Sequence, residues 1–571
     1  MLRSLSILSL FLLTGAFTKA QNALLIPPVL TGTTFNLTVQ NGTHNFLPGF
    51  TTQTMGVNGN VLGPTLIVNK GDQITLNVSN QIGDTTTMHW HGLHVAPEND
   101  GGPHTIILPG ATWSPSFTVL DHASTFWYHP HLHHKTNKQV SMGIAGFFIV
   151  KDAAEAALTL PRTYGADDFP LCIQTKDLDA AGQITSTTNS DDVLMVNATV
   201  DPYLDVPAQV VRLRLLNGSS QRVFNLGLSN GQTFHQIGSD GGLLEAPVPL
   251  TRVLLSPGER AEILVNLSGM SGQTVYLKSF ASEMPNGMYG STFPGMGQGM
   301  TMTGYNPNPL NGADFNVLRL NVGAQTANPV TTVPAALVTV TPIPANQSNI
   351  TRQLTFMPAQ MGPNQLNGDF MINNAMFDIN VINYQIPLNN TEIWTLDNNS
   401  GIAHPFHIHD VQFYILDRNG VQPPLNERGM KDVVLVKPQE VVRFITKFTD
   451  FANDQVPYVY HCHMLPHEDM GMMGQFIVFD PSAPSGIGEH QQNDTWSVFP
   501  NPATGAVDIE LGQTQGLKSI EIRSVAGQLL YSRTNIREPR VRVSTSGFAS
   551  GLYLLTLRTA EGFSQKRLVV E

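Results

Sequence analysis

The sequence predicts an all-β chain built from several β-sandwich modules, and three observations carry that prediction. Short alternating runs recur, among them Thr65-Leu66-Ile67-Val68, Gln73-Ile74-Thr75-Leu76-Asn77-Val78 and Val210-Val211-Arg212-Leu213-Arg214-Leu215. Each has the two-residue period of a strand. Gly, Asn, Asp and Pro punctuate these runs, and long amphipathic helical patterns are scarce. The composition agrees: 50 Gly and 38 Pro stand against only 13% charged residues. That is the balance of a turn-rich exported β-protein. At 571 residues the chain is long enough for about four domains.

The modules are read in chain order. Met1-Leu2-Arg3, an apolar run from Leu5 to Phe17 and Thr18-Lys19-Ala20 match a secretory signal over residues 1–20, with the mature chain expected near Gln21. The apolar run is shorter than the ~20 residues that span a membrane, and no later segment reaches that length. A first sandwich is expected over 24–155 and a second over 165–325. The Pro- and Thr-rich passage from Ala327 to Asn346 reads as a linker to a third module over 351–482. A second linker opens with Pro481-Ser482-Ala483-Pro484-Ser485-Gly486 and leads to a separate β-rich tail over 497–571.

Charge and cysteine use exclude whole function classes. With 31 basic and 43 acidic residues the net charge is −12, which provides no basic field for nucleic acid or an anionic membrane. Only Cys172 and Cys462 are present, so an exported chain of this size is no disulfide scaffold. Cys172, in Phe169-Pro170-Leu171-Cys172-Ile173, is expected as a small buried hydrophobe on a strand. Cys462 has a different setting, between two histidines.

Eighteen histidines scattered at random over 571 residues would form fewer than one His-x-His pair on average, yet the chain has five. They are His89-Trp90-His91, His129-Pro130-His131, His131-Leu132-His133, His407-Ile408-His409 and His461-Cys462-His463. That excess points to metal ligation. Residues two apart on a strand share a face and those an odd number apart do not. His461 and His463 therefore face one way and Cys462 the other, while His404, three before His407, points away from His407 and His409. One face thus gathers His404, Cys462 and, downstream, His467 and Met472. Two imidazoles, a thiolate and a weak thioether are the donors of a blue-copper electron-transfer site, whereas zinc prefers a closed Cys/His tetrahedron. The other face offers His407, His409, His461 and His463, to be joined by His89, His91, His129 and His131 of the first module. Eight imidazoles without a thiolate imply a multinuclear copper cluster sealed between modules, suited to dioxygen.

The strings His89-Trp90-His91-Gly92, His129-Pro130-His131, His404-Pro405-Phe406-His407-Ile408-His409 and His461-Cys462-His463 with His467 and Met472 resemble the four signature motifs of the multicopper oxidases. The likeness spans residues 24–482. Within that family the chain is similar to three-domain bacterial oxidases, including copper-efflux oxidases and spore-coat laccases, which implies three cupredoxin-like Greek-key sandwiches. The resemblance implies four copper ions: a type 1 copper at His404, Cys462, His467 and Met472, a type 2 copper at His89 and His407, and a type 3 pair at His91, His129, His131, His409, His461 and His463. It implies four one-electron oxidations of a reductant coupled to reduction of O2 to two waters. Cys462, bonded in sequence to His461 and His463, is the expected electron path. Asp100 and Glu468 match the acidic proton donors of similar bacterial enzymes. His134 stands where the family usually has Gly; His94, His133 and His134 receive no ligand role and are placed around the site or on the surface.

Met284, Met288, Met296, Met300 and Met302 lie in a Gly-rich stretch without strand or helix period. Soft thioethers select Cu(I), and similar methionine-rich hairpins cover the type 1 site of metal-oxidising relatives, so Cu(I) is an expected reductant. A laccase-like phenol oxidase with a flexible apolar lid is the alternative, favoured by Ser400, which stands near the site without the acidic side chain that efflux oxidases use for substrate copper. A non-catalytic copper carrier would not need eight cluster histidines, and a two-domain copper nitrite reductase would lack the paired His-x-His ligands. The tail, with Phe499-Pro500-Asn501-Pro502, Ser550-Gly551-Leu552-Tyr553-Leu554 and Lys566-Arg567, resembles the C-terminal sorting domains of the Bacteroidetes-type outer-membrane (type IX) secretion system. That resemblance implies passage through the periplasm to the cell surface or medium, with the secretion machinery as partner.

Overall fold

A computed structural model describes residues 21–186, 190–295, 308–360, 369–482, 496–511, 518–524, 528–559 and 562–571. The expected signal segment, most of the second linker, and Met296, Met300 and Met302 lie outside the described residues. No described helix is long and apolar enough to cross a membrane.

Strands dominate, and they pair into sheets that enclose four separate apolar cores. The first core, with Phe35, Leu76, Trp90, Phe126 and Phe148, lies within two five-stranded sheets whose strands run from Val29 to Lys151. A second, with Phe169, Leu213, Phe224, Ile263 and Leu320, belongs to a six- and an eight-stranded sheet. The third, with Phe356, Trp394, Phe406, Phe444 and Phe476, fills two five-stranded sheets. The tail has its own core of Trp496, Ile509, Ile522 and Leu568 within a three- and a four-stranded sheet.

The strand Gln73–Asn80 shows why these residues form strands: its burial alternates strictly, with Ile74, Leu76 and Val78 inside. The run beginning Val210 behaves otherwise. Every residue of Val210–Asn217 is buried, because its polar face is covered as well. Arg212 and Arg214 lie there in a closed ionic network: Arg212 pairs with Glu155 and Glu262, and Arg214 pairs with Asp168 at 2.7 Å and Glu262 at 2.8 Å. Thr125, on a strand of the first core, donates to Glu262 Oε1 at 2.6 Å, so the network also joins two modules. Cys172 sits on the strand Asp168–Leu178 at 3% exposure, and burial pushes its thiol up to about 12.

Six strands and one short helix position the functional histidines. In the first module these are β1 (His89–His91) and β2 (Ser124–His129). In the third they are β3 (His404–Ile408), β4 (Val433–Val436), β5 (Asn453–Cys462), α1 (Leu465–Asp469) and β6 (Met473–Phe479). β3 lies between β4 and β5, and β5 between β3 and β6.

Burial of Glu262 opposes its charge, but Arg212 and Arg214 outweigh burial and hold its pKa down at about 2. A depressed carboxylate stabilises the fold above its unfolded value, and that contribution drains away as pH falls through the folded value. Stability is therefore expected to drop between about pH 4.5 and 2 in wild type, with a smaller acid-induced drop in Glu262→Gln. The variant should also unfold about 3–5 kcal/mol more easily at neutral pH, since it leaves two buried arginines underpaired. Denaturant unfolding across that pH range checks both.

Candidate metal centre

Strand register sorts the donors onto two faces. On antiparallel β3 and β5, Phe406 pairs with Cys462 and His407 with His461. Paired residues share a face, so His404, Phe406 and Cys462 look toward the third core while His407 and His461 look away from it. In the first module, His89 pairs with His129 and His91 with Trp127 across β1 and β2, so all three imidazoles share one face. The strand ends of the two modules meet there.

On the core side, Cys462 Sγ lies 3.6 Å from both His404 Nδ1 and His467 Nδ1. His467 arrives on α1, and the chain then folds back so that Met472 N–H donates to His467 O at 2.9 Å and Cys462 N–H to Met472 O at 3.0 Å. Met472 itself is fully buried in the same core. Phe370 packs its ring 4.7 Å from His404 and 4.5 Å from His467. His404 Nε2 donates to Ser400 Oγ at 2.8 Å, which leaves Nδ1 for Cys462. Burial pushes both the Cys462 thiol up and the His404 imidazole toward its neutral form.

Across the strands, the remaining eight imidazoles converge in three groups whose ligand atoms lie within 4.8 Å: His89, His407 and His409; His91, His129 and His463; His131, His409 and His461. His91 Nδ1 is 3.3 Å from His129 Nε2 and 3.2 Å from His463 Nε2. His131 Nε2 is 3.0 Å from His461 Nε2 and 3.2 Å from His409 Nε2. His89 Nε2 and His407 Nε2 are buried without any hydrogen-bond partner.

Their outer nitrogens explain this convergence. His89 Nδ1 donates to Asp100 O at 2.9 Å, His407 Nδ1 to Asp432 O at 2.8 Å, His129 Nδ1 to Pro130 O at 2.8 Å and His409 Nδ1 to Asp100 Oδ2 at 2.8 Å. A fixed proton on one nitrogen leaves a lone pair on the other. Glu468 adds one oxygen 3.2 Å from His461 Nδ1 and the other 3.5 Å from His131 Nδ1. Burial, then the charges of neighbouring histidines, drive His91, His407 and His409 far below the usual imidazole range. Neutral rings whose lone pairs face one another at 3 Å satisfy none of them. Cations are what converging nitrogens of this kind accept, and imidazoles here, with a thiolate set on the opposite face, suit copper.

The structure brings the ten expected histidines and Cys462 into compact groups, with Met472 buried in the same core as Cys462, and it places both Asp100 and Glu468 against cluster histidines. His94 and the adjacent pair His133 and His134 belong to none of the groups. His134 Nδ1 instead donates to Asp469 O at 2.8 Å. Met284 and Met288 are buried in an apolar cluster with Val223, Ala403 and Leu435, so for these two a packing role exists that the missing period did not suggest.

Sequence reasoning did not single out Asp432 or Arg260. Asp432 Oδ1 takes the Nε2 proton of His91 at 3.1 Å, which turns Nδ1 of that ring inward. Arg260, from the second module, clasps the Asp432 carboxylate, with Nη1 2.7 Å from Oδ1. The one local signal is Gly92, left-handed at φ 89°, where a Cβ would lie 2.2 Å from Asp432 Oδ2.

The comparisons agree with this geometry. Residues 38–155 and 346–482 each match a family model described as multicopper oxidase, and 497–571 match a secretion system C-terminal sorting domain. The multicopper oxidase mco of Staphylococcus haemolyticus is 33% identical over 453 residues, 78% of this chain and 88% of the relative. The chain belongs to the multicopper oxidase family. The cell division protein FtsP of Escherichia coli is 32% identical over 80% of this chain and 93% of its own length. Among solved structures, a bacterial laccase-like multicopper oxidase, CueO of Ochrobactrum sp., superposes with a TM-score of 0.70 at 33% identity, covering 80% of this chain and all of that one.

Gly92→Ala is expected to displace Asp432 and to force an unfavourable backbone, lowering stability by about 1–3 kcal/mol. Thermal unfolding measures the loss.

Proposed function

We propose that this chain is a dioxygen-reducing oxidase with four coppers: a type 1 ion held by His404, Cys462, His467 and Met472, a type 2 ion by His89 and His407, and a type 3 pair by His91, His129, His131, His409, His461 and His463. The observation that carries the reading is the gathering of ten buried histidines and Cys462 into one thiolate group and, on the opposite face, imidazole groups of which two share His409. Copper, when bound, supplies the one-electron chemistry at the Cys462 site and the binding and four-electron reduction of O2 at the histidine chamber.

The chain's own groups do the rest. Cys462 is peptide-bonded to His461 and His463, so an electron received beside its sulfur has a covalent path of a few bonds to either imidazole. Four electrons and four protons convert one O2 to two waters. Asp100, with one carboxylate oxygen on His409 Nδ1, and Glu468, between His131 and His461, are the groups placed to hold and pass protons. Burial, then the charge of Asp469, pushes Glu468 well above the ordinary carboxyl range, toward the protonated form a donor needs.

The reductant read here is a soft metal ion, Cu(I), delivered over the stretch from Met284 to Met302, with a phenol as the competing class. The sorting-domain match at 497–571 supports export to the cell surface or medium, and we read the route as passing through the periplasm.

Cys462→Ser should abolish the blue thiolate-to-copper absorption and O2 consumption together; a variant that stays blue contradicts the assignment. Deleting 296–302 should slow turnover with Cu(I) more than with a bulky phenol in steady-state oxygen uptake, and equal losses would remove the metal-capture role. Truncation near residue 490 should leave copper content and oxidase rate intact while retaining the protein in the periplasm, as cell fractionation would show. Release of the truncated protein to the surface would exclude sorting by the tail.

A further inference from the structure

His94 has no ligand role, yet it occupies a built position at the seam between the first and third modules. Its Nδ1 lies 2.8 Å from Asp410 Oδ1 and 3.0 Å from Asp410 O, and its Nε2 lies 3.0 Å from Asp450 Oδ2. Its backbone N–H donates to Asp121 Oδ1 at 3.1 Å, and Phe451 packs against the ring at 4.8 Å. Gln412 closes the group, donating to Asp121 Oδ1 at 2.8 Å and to Gly92 O at 2.7 Å.

Both aspartates that grip the ring are left-handed residues without being glycine, Asp410 at φ 74° and Asp450 at φ 67°. Such backbone persists only where the surroundings repay it. Asp410 directly follows His409, and His94 stands three residues after His91. The grip therefore joins the chain next to one cluster histidine of the third module to the chain next to one of the first.

We propose that His94 is a positioning residue that locks the two halves of the histidine chamber in register through Asp410 and Asp450, so that His91 and His409 are correctly placed for copper. The inference rests on the copper reading above. Burial works against a charged His94, but Asp410 and then Asp121 and Asp450 outweigh it and raise the imidazole to about 10. Tyr458 and Asp100 approach Asp410 from the cluster side, Lys447 approaches Asp450, and Lys70 approaches Asp121. The His94 imidazole is thus the group gripped by carboxylates across this seam, where Gln412 and Tyr458, the latter donating to Val95 O at 2.7 Å, also join the two modules.

The test loads wild type, His94→Gln, His94→Lys and Asp410→Gly with copper and titrates each with a copper chelator. Total copper, the blue band and the type 2 paramagnetic signal are followed. His94→Gln should keep the blue type 1 ion while its cluster coppers are lost at least about tenfold more readily, the scale expected for groups that orient metal ligands. His94→Lys, which restores the cation, should recover most of that loss. Asp410→Gly removes the carboxylate that grips His94 and should weaken cluster copper by a similar factor while the blue type 1 band persists. A merely structural loss would diminish the type 1 and cluster coppers alike. Wild-type cluster affinity in His94→Gln overturns the proposal; should that variant not fold, unchanged cluster affinity in Asp410→Gly overturns it. Wild type that binds no cluster copper would instead refute the copper reading itself.

Discussion

Eight buried imidazoles turned inward, six of them with ring nitrogens facing one another at 3.0–3.3 Å, are the constraint on which the rest of the structure depends. Such an array is repulsive in an apolar interior, and burial prevents protonation from relieving it. It is maintained because the outer nitrogens of His89, His91, His129, His407 and His409 are held by backbone carbonyls or carboxylates, and because the rings are mounted on two separate sandwiches. The cores of those sandwiches position strands; the carbonyls and carboxylates then position nitrogen atoms.

The division of labour between modules follows. The first and third supply all of the chamber histidines, and the third alone supplies the thiolate set. The second supplies none, but it contributes Arg260, whose guanidinium fixes Asp432 and through it the unusual orientation of His91. Its Arg212 and Arg214 network with Glu262 reaches Thr125 on β2, the strand that ends in His129. A module without a ligand thus helps to hold the ligands of its neighbours.

Much of this was legible in the sequence because strand geometry is simple. The odd and even offsets among His404, His407, His409, His461, Cys462 and His463 sort the donors onto two faces before any fold is known, and the pairing of Phe406 with Cys462 and His407 with His461 has the same sorting. What stayed hidden was whatever depends on contacts between distant segments. Arg260 and Asp432 are 172 residues apart and carry no motif. The alternation from Val210 suggested an ordinary strand, yet its arginine face is buried by a neighbouring module. Met284 and Met288 lack any period because they fill an irregular gap beside Ala403 rather than lining a regular element. His94 could be set aside as a non-ligand, but its partners Asp410 and Asp450 lie more than 300 residues away.

The most direct measurement of the central claim is crystallographic: anomalous scattering at the copper edge from crystals of the copper-loaded chain. The account predicts four peaks, one beside Cys462 Sγ between His404 and His467, and three enclosed by the eight histidines of the other face. A single peak at Cys462 with an empty chamber, or zinc in place of copper at these positions, would contradict it.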